Sequence, residues 1–268
     1  MKPFKQLSKA FTLAAAALIM LSTSCKKDND GADRPANGFK LKRVEASATN
    51  YTNFEYNSAG HITKITTAED GETDVIDLAY QNNKLFSLTS SDQEALKFTY
   101  ATNGLTDRVD MYQGGLQGAN VGYFKFSYNN AVLNDIVTYG LIPNEANPVP
   151  LIKTTFEYYA NGDIKTQRDL QYNWLTKTYV LSESTTYEYD THDNPLYSVS
   201  EIYQLKFEAP SKHNPVKATV TDENNDLVRT TTYAYTYNSN GYPTQAQTKV
   251  TEPGQLNPTV STVKFSYQ

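Results

Sequence analysis

The sequence predicts an all-β fold. Tandem antiparallel β-hairpins would run as one long curled meander sheet, with a flattened barrel or a sandwich as its more closed forms. Three observations predict it. Tyr is abundant, at 21 of 268 residues against three Met and one Trp, and Tyr suits half-buried pleated surface. An aromatic-x-Tyr pair recurs along the chain, and every copy but the last, Phe265/Tyr267, is followed by a polar turn. No stretch after residue 38 carries a convincing helical period.

The chain opens with a processing signal. Lys2, Lys5 and Lys9 form a basic start, and Phe11 to Leu21 is an eleven-residue apolar run. That run suits a signal-peptide core and is too short to span a bilayer as a helix. The small residues that follow, "LSTSC", end at Cys25, the only Cys in the chain, so no intramolecular disulfide can form. Residues 21–25 resemble a bacterial lipoprotein lipobox, with Ser22 at the place usually held by Leu. The resemblance implies that Cys25 is acylated and becomes the new N-terminus. Acyl chains would hold the protein at a membrane without a transmembrane helix. Residues 1–24 are thus expected to be a signal peptide. Residues 25–38, polar with Gly, Pro and Ala, are expected to be a disordered tether. The Lys-Lys-Asp-Asn-Asp at 26–30 is similar to the acidic export tags of some Gram-negative surface lipoproteins. Residues 39–268 form the β domain. Loss of residues 1–24 removes three of 24 basic residues and none of 29 acidic ones, leaving a net charge of −8. A nucleic-acid partner needs a basic footprint, so this balance argues against one.

Seven copies of the pair align: Phe54/Tyr56, Phe98/Tyr100, Phe126/Tyr128, Phe156/Tyr158, Tyr187/Tyr189, Tyr235/Tyr237 and Phe265/Tyr267, with Leu78/Tyr80 as a degenerate eighth. Residues two apart on a strand share a face, so each pair points one way. The turns between them, such as "NSAGHI" at 57–62 and "YANGDI" at 159–164, carry the Asn and Gly that tight turns need. "DTHDNPL" at 190–196 reads as one of these turns. Successive module tyrosines lie 24, 20, 28, 30, 31, 48 and 30 residues apart. The 48-residue gap suggests a worn unit around Ser211 to Val220. "SDQEALK" at 91–97 reads as one helical turn or as the approach to a hairpin.

The module resembles the YD repeat of the Rhs family, most closely at "YEYD" (187–190), "FEYNSAGHI" (54–62) and "YTYNSNGYP" (235–243). The similarity extends over nearly all of residues 40–268. It departs from that family's pattern in three ways: Asp survives only at Asp190, no Arg follows the Gly, and the period is longer and looser. Rhs proteins are far larger and wrap a shell around a cargo. This chain looks more like small YD-like lipoproteins. The family resemblance also implies an association with carbohydrate.

Each buried Phe or Tyr contributes about 1.5–3 kcal/mol, so the aromatic stripe must be covered and the sheet must curl. A coarse count gives about seventeen strands. The half units at 39–46 and 263–268 could complete each other and remove two sheet edges; an odd count would make that pairing parallel, which disfavours closure.

The chemistry-bearing patterns are sparse. His61, His192 and His213 lie beside turns without metal-ligand spacing. Asp222 to Asp226, "DENND", lacks the glycine and distal Glu of a calcium loop and falls where a turn is due. Asp190 and Asp193 share a turn. No Gly-x-Ser-x-Gly and no phosphate-binding glycine loop is present. No enzyme activity, metal or other cofactor is expected. Tyr172, Trp174 and Tyr179 lie near a hairpin tip, where exposed aromatics can stack on a ligand. Tyr139 to Lys153, with Pro143, Pro148 and Pro150, reads as the longest loop. The sequence therefore points to a lipid-anchored, non-catalytic binding protein of the bacterial outer membrane, with glycan as its ligand and Tyr172, Trp174 and Tyr179 at its site. Its alternative is a structural or assembly lipoprotein that contacts other envelope proteins. A hydrolase with scattered carboxylates is the weakest of the three.

Overall fold

The computed structural model describes residues 40–268 apart from 143, 144, 146 and 200–210. The signal peptide, the tether and Cys25 therefore lie outside the described residues. Sixteen strands follow in chain order. The first eight are β1 (Leu41–Glu45), β2 (Tyr51–Tyr56), β3 (Ile62–Glu69), β4 (Glu72–Gln81), β5 (Lys84–Ser90), β6 (Glu94–Tyr100), β7 (Thr106–Gln113) and β8 (Ala119–Asn129). The next are β9 (Val132–Gly140), β10 (Val149–Tyr158), β11 (Ile164–Asn173), β12 (Thr178–Asp193), β13 (His213–Asp222), β14 (Leu227–Tyr237), β15 (Pro243–Thr251) and β16 (Thr259–Tyr267). A short 3-10 turn, Pro195–Val199, follows β12.

Each strand pairs antiparallel with its chain neighbours, and β1 pairs antiparallel with β16, so the sheet is a closed barrel. This corrects the expectation of an open meander. The two ends do complete each other: Leu41 sits opposite Tyr267 and Val44 opposite Phe265. The difference is one of parity. Among the described residues the worn unit near 211–220 supplies a single strand, β13, and an even total brings β1 and β16 together antiparallel.

Two local readings change as well, and a third is decided between its two alternatives. The stretch 190–196 is strand as far as Asp193. Much of 139–153 belongs to β9 and β10, leaving 141–148 between them. At 91–97 the chain turns at Ser91–Gln93 and enters β6, so the hairpin reading holds.

A β-bulge repeats at every module. In the hairpins of β2, β4, β6, β8, β10, β12 and β14 the outgoing strand carries one extra residue beside the module Tyr: Thr63, Phe86, Asp107, Asn134, Lys165, Val216 and Thr244. The seam does the same, with Lys42 as the extra residue beside Tyr267. Bulges bend a strand and increase its twist, so eight of them, one for every two strands, supply the curl that closes the sheet. Gly60, Gly104, Gly162 and Gly241 take the positive-φ turn positions, at 82°, 84°, 91° and 82°.

The module turns and both described chain ends lie at one end of the barrel, where Lys40 and Gln268 exchange backbone hydrogen bonds of 3.1 and 3.0 Å. We call it the near end. The other connections, including 114–118, 174–177 and the one that leaves β9 at Gly140, form the far end. Inside, Phe54, Phe98, Phe126, Phe156, Tyr187 and Phe265 pack with Leu85, Val109, Leu133, Ile136 and Val263 in one buried cluster. A round sixteen-stranded barrel would enclose an aqueous channel. Here the inward-facing side chains form one buried apolar cluster.

The outer wall is charged. Cross-strand ion pairs join Lys64 to Asp77, Lys125 to Asp107, Arg168 to Glu157 and Lys217 to Glu188. A membrane-spanning barrel presents the opposite arrangement, an apolar band outside and a polar interior.

Candidate binding surface on the outer wall

Side chains alternate between the two faces of each strand. In β8, Phe124 and Phe126 are buried inside, so Tyr123 and Lys125 face out. In β9, Ile136 and Thr138 are inside, so Asp135 and Tyr139 face out. Tyr172 of β11 pairs directly with Tyr179 of β12 on the same outer face. The pairing of Tyr123 with Tyr139, and of Tyr139 with Pro150, carries the row across β8 to β10.

These residues form an aromatic strip across the outer wall toward the far end. The Arg108 guanidinium lies 3.7 Å from the centre of the Tyr123 ring. Tyr123 and Tyr139 stack with centroids 4.5 Å apart and planes 13° from parallel. Tyr172 meets Tyr179 edge-on at 5.3 Å and Trp174 edge-on at 4.9 Å. Burial, then the nearby Tyr139, Tyr172 and Asp135, push the Tyr179 hydroxyl up to about 12. Burial and Tyr123 also raise Tyr139, against a smaller lowering by Lys125. Tyr139 and Tyr179 thus remain protonated, and both can donate hydrogen bonds at neutral pH.

Trp174 is 44% exposed, on the connection between β11 and β12. It is a surface ring, not a packing residue of the interior. Asn173 Oδ1 shapes that tip by accepting the backbone N–H groups of Leu175 and Thr176 at 3.0 and 3.2 Å. Polar groups flank the strip. Asp110 accepts from Arg108 and from Asn120, and Lys153 lies 3.6 Å from Asp135.

The structure therefore brings Tyr172, Trp174 and Tyr179 together, as the sequence suggests, and adds Arg108, Tyr123 and Tyr139. The phase of the sequence marks Tyr123 as outward, opposite to Phe124, Phe126 and Tyr128, but not which residues it joins. With the carboxylates beside the strip held by Arg108 or Lys153, the arrangement offers ring faces, ring edges and fixed donors, which is recognition chemistry.

The polar constellations singled out in the sequence make contacts that hold the fold. His213 Nδ1 lies 2.7 Å from Oδ2 of the fully buried Asp163, which also accepts the backbone N–H of His213 and the Asn161 amide. These contacts tie the start of β13 to the turn before β11. Asp190 accepts the Tyr237 hydroxyl, and His192 stacks on the Tyr237 ring at 3.9 Å. The 222–226 stretch is a turn in which Asp222 Oδ1 accepts the N–H groups of Asn224 and Asp226. Among the described residues no three His, Cys, Asp or Glu side chains are grouped to hold a metal ion.

No family model matches the chain, and no curated protein matches it in sequence. Its fold is shared with solved structures. A porin-like protein from Bacteroides uniformis is 16% identical with a TM-score of 0.57, over 86% of this chain and 95% of that one. A porin-like protein from Bacteroides vulgatus is 12% identical with a TM-score of 0.57, over 85% and 99%. At such identities the likeness is one of fold alone. TcdB2-TccC3 matches with a TM-score of only 0.30, over 12% of its chain, which bears on nothing here.

Proposed function

We propose that this chain is a lipid-anchored, non-catalytic binding protein of the bacterial outer membrane that holds glycan on the aromatic strip of its outer wall. The observation that carries the reading is the strip itself: Tyr139, Tyr172, Trp174 and Tyr179 gathered on an otherwise charged surface. Ring faces pack against the C–H faces of sugars, and the protonated hydroxyls and flanking side chains supply hydrogen bonds. The charged wall and packed interior argue against a pore, and Cys25 acylation would supply the membrane attachment. Residue 40 enters at the near end. β11, ten residues long, spans about 30 Å, so a chain anchored through Cys25 would present the strip away from the bilayer.

A second reading, assembly with other envelope proteins, is favoured by the apolar far-end tips. Leu175 and Leu256 are 95% and 97% exposed, and exposed apolar surface marks contact sites.

The test is a titration of the chain lacking residues 1–24 against a panel of polysaccharides, read by thermal shift and by the fluorescence of its single Trp. A ligand at a hundredfold excess over Kd stabilises the folded state by about 2.7 kcal/mol. A shift abolished by Trp174→Ala supports the glycan reading. No shift across the panel removes it in favour of a protein partner.

A further inference from the structure

Four carboxylates crowd the far end on the side of β4 to β6: Glu72, Asp74, Asp92 and Glu94. Glu72, Thr73, Asp74, Ser91 and Asp92 line a cavity of about 320 Å³ there. Asp74 is only 8% exposed; Ser91 Oγ holds its Oδ1 at 2.5 Å, and its Oδ2 is buried without a hydrogen-bond partner. Glu94, on the next strand pair, is 7% exposed, and its buried Oε2 also lacks a partner. Among the described residues no Lys, Arg or His forms an ion pair with any of the four.

Buried carboxylates are normally paired or fully hydrogen-bonded, because an uncompensated buried charge is costly. Here two are unsatisfied, and each adds to the negative field of the others. Burial raises Glu94 above the ordinary carboxylate range, and Asp92 and Asp74 raise it further. A cation would relieve the whole group. The carboxylates do not converge as a metal shell requires, and the cavity is on the scale of an organic group and not of a bare ion.

We propose that this acidic cavity binds an organic cation, an alkylammonium group, with Asp74 as its principal acceptor. Such a group arrives as a free polyamine or as a lysine side chain of a partner. Both present a primary ammonium, whose three donors suit the unpartnered Oδ2 of Asp74 and the exposed carboxylate of Asp92. The cavity lies on different strands from the aromatic strip and stands independently of it.

Calorimetric titration at low salt with spermidine and with tetralysine tests this. The expected result is saturable binding of at least one probe that weakens as salt rises. A charge-assisted bond is lost in Asp74→Asn, which should weaken binding by roughly tenfold or more. Glu223→Gln, an exposed acid on another hairpin, should change it less than about twofold. Asp92→Asn, at an exposed position, serves as a second variant should Asp74→Asn misfold. Tighter binding of tetralysine than spermidine assigns the site to a partner's side chain; the reverse assigns it to a free amine. Absence of saturable binding by either probe overturns the proposal. So does equal weakening in Glu223→Gln, or calcium binding that displaces both probes.

Discussion

The hydroxyl of Tyr158 donates to the carbonyl oxygen of Leu133 at 2.6 Å, and Leu133 is the residue paired with Tyr128, the module tyrosine of the preceding unit. The same step recurs around the near end. Tyr100 donates to Leu85, which pairs with Tyr80. Tyr267 donates to Pro243, which pairs with Tyr237. Tyr56 donates to Leu41, which pairs with Tyr267, so the relay crosses the seam between the first and last strands. In β14 the donor is Tyr235, which reaches Pro215, and Tyr237 turns to Asp190 instead. Tyr56, Tyr100, Tyr158 and Tyr267 therefore do two things: the ring covers the core, and the hydroxyl ties its hairpin to the one before it.

Tyr158→Phe keeps the ring and removes only the tie. A net hydrogen bond contributes about 0.5–1.5 kcal/mol. For a domain of this size the unfolding temperature should fall by about 2–4 °C, measured by calorimetry. Tyr56→Phe should cost a similar amount and should also speed amide exchange in β1, because its bond ends on the Leu41 carbonyl. Unchanged stability in both would show that the relay contributes nothing beyond ring packing.

Asp169 supplies a prediction in pH. Its side chain accepts from Thr154 Oγ1 at 2.7 Å and from the Gln167 amide at 3.2 Å, while Gln167 Oε1 is buried without a partner. Burial raises its carboxyl above the ordinary value and Glu183 adds to this, against the lowering by Thr154 and Gln167. A folded carboxyl with a raised value holds its proton longer than the unfolded chain does. Its stabilising effect is complete below the unfolded value near pH ~4 and is lost as pH rises through the raised folded value. Asp169→Asn should match the parent at low pH and be the more stable at pH 7. A turned Gln167 can also accept from the new amide. Melting curves between pH 3 and 7 check this; a variant less stable at pH 7 would refute it.

Much of this architecture is legible in the sequence because the interior obeys a strict period of two. Phe54, Phe98, Phe126 and Phe156 mark inward positions, and the Asn-Gly turns mark the reversals. Closure was not legible. It depends on whether the stretch between Tyr189 and Tyr237 adds one strand or two, and that stretch has lost its module. The bulges are equally silent in composition, since residues as different as Thr63, Phe86 and Lys165 occupy them. At the surface, Tyr172, Trp174 and Tyr179 stood out by proximity in the chain. Arg108, Tyr123 and Tyr139 join them only through strand pairing, which no local pattern displays.

Trp174→Ala separates recognition from stability. The ring is 44% exposed and touches Tyr172 edge-on, so its loss should change folding stability by about 0.5 kcal/mol or less. Acrylamide should quench the parent's fluorescence readily in the folded state. A shielded, quench-resistant signal would mean that Trp174 is packed and unavailable to a ligand.

The direction in which the wall faces is the most consequential feature of this barrel, and one pair of substitutions tests it. Leu133 is 1% exposed inside the core, while Leu175 is 95% exposed at the far-end tip. Leu133→Ala removes packed methyl groups and leaves a cavity, so it should destabilise the aqueous protein by about 2–5 kcal/mol. Leu175→Ala should change stability by no more than about 0.5 kcal/mol. Were the barrel a lipid-embedded pore, the apolar interior would have no role in excluding water and the charged outer wall would be the costly surface. Urea unfolding of both variants without detergent decides the point. A Leu133→Ala variant as stable as its parent would mean that the apolar cluster does not hold the walls together.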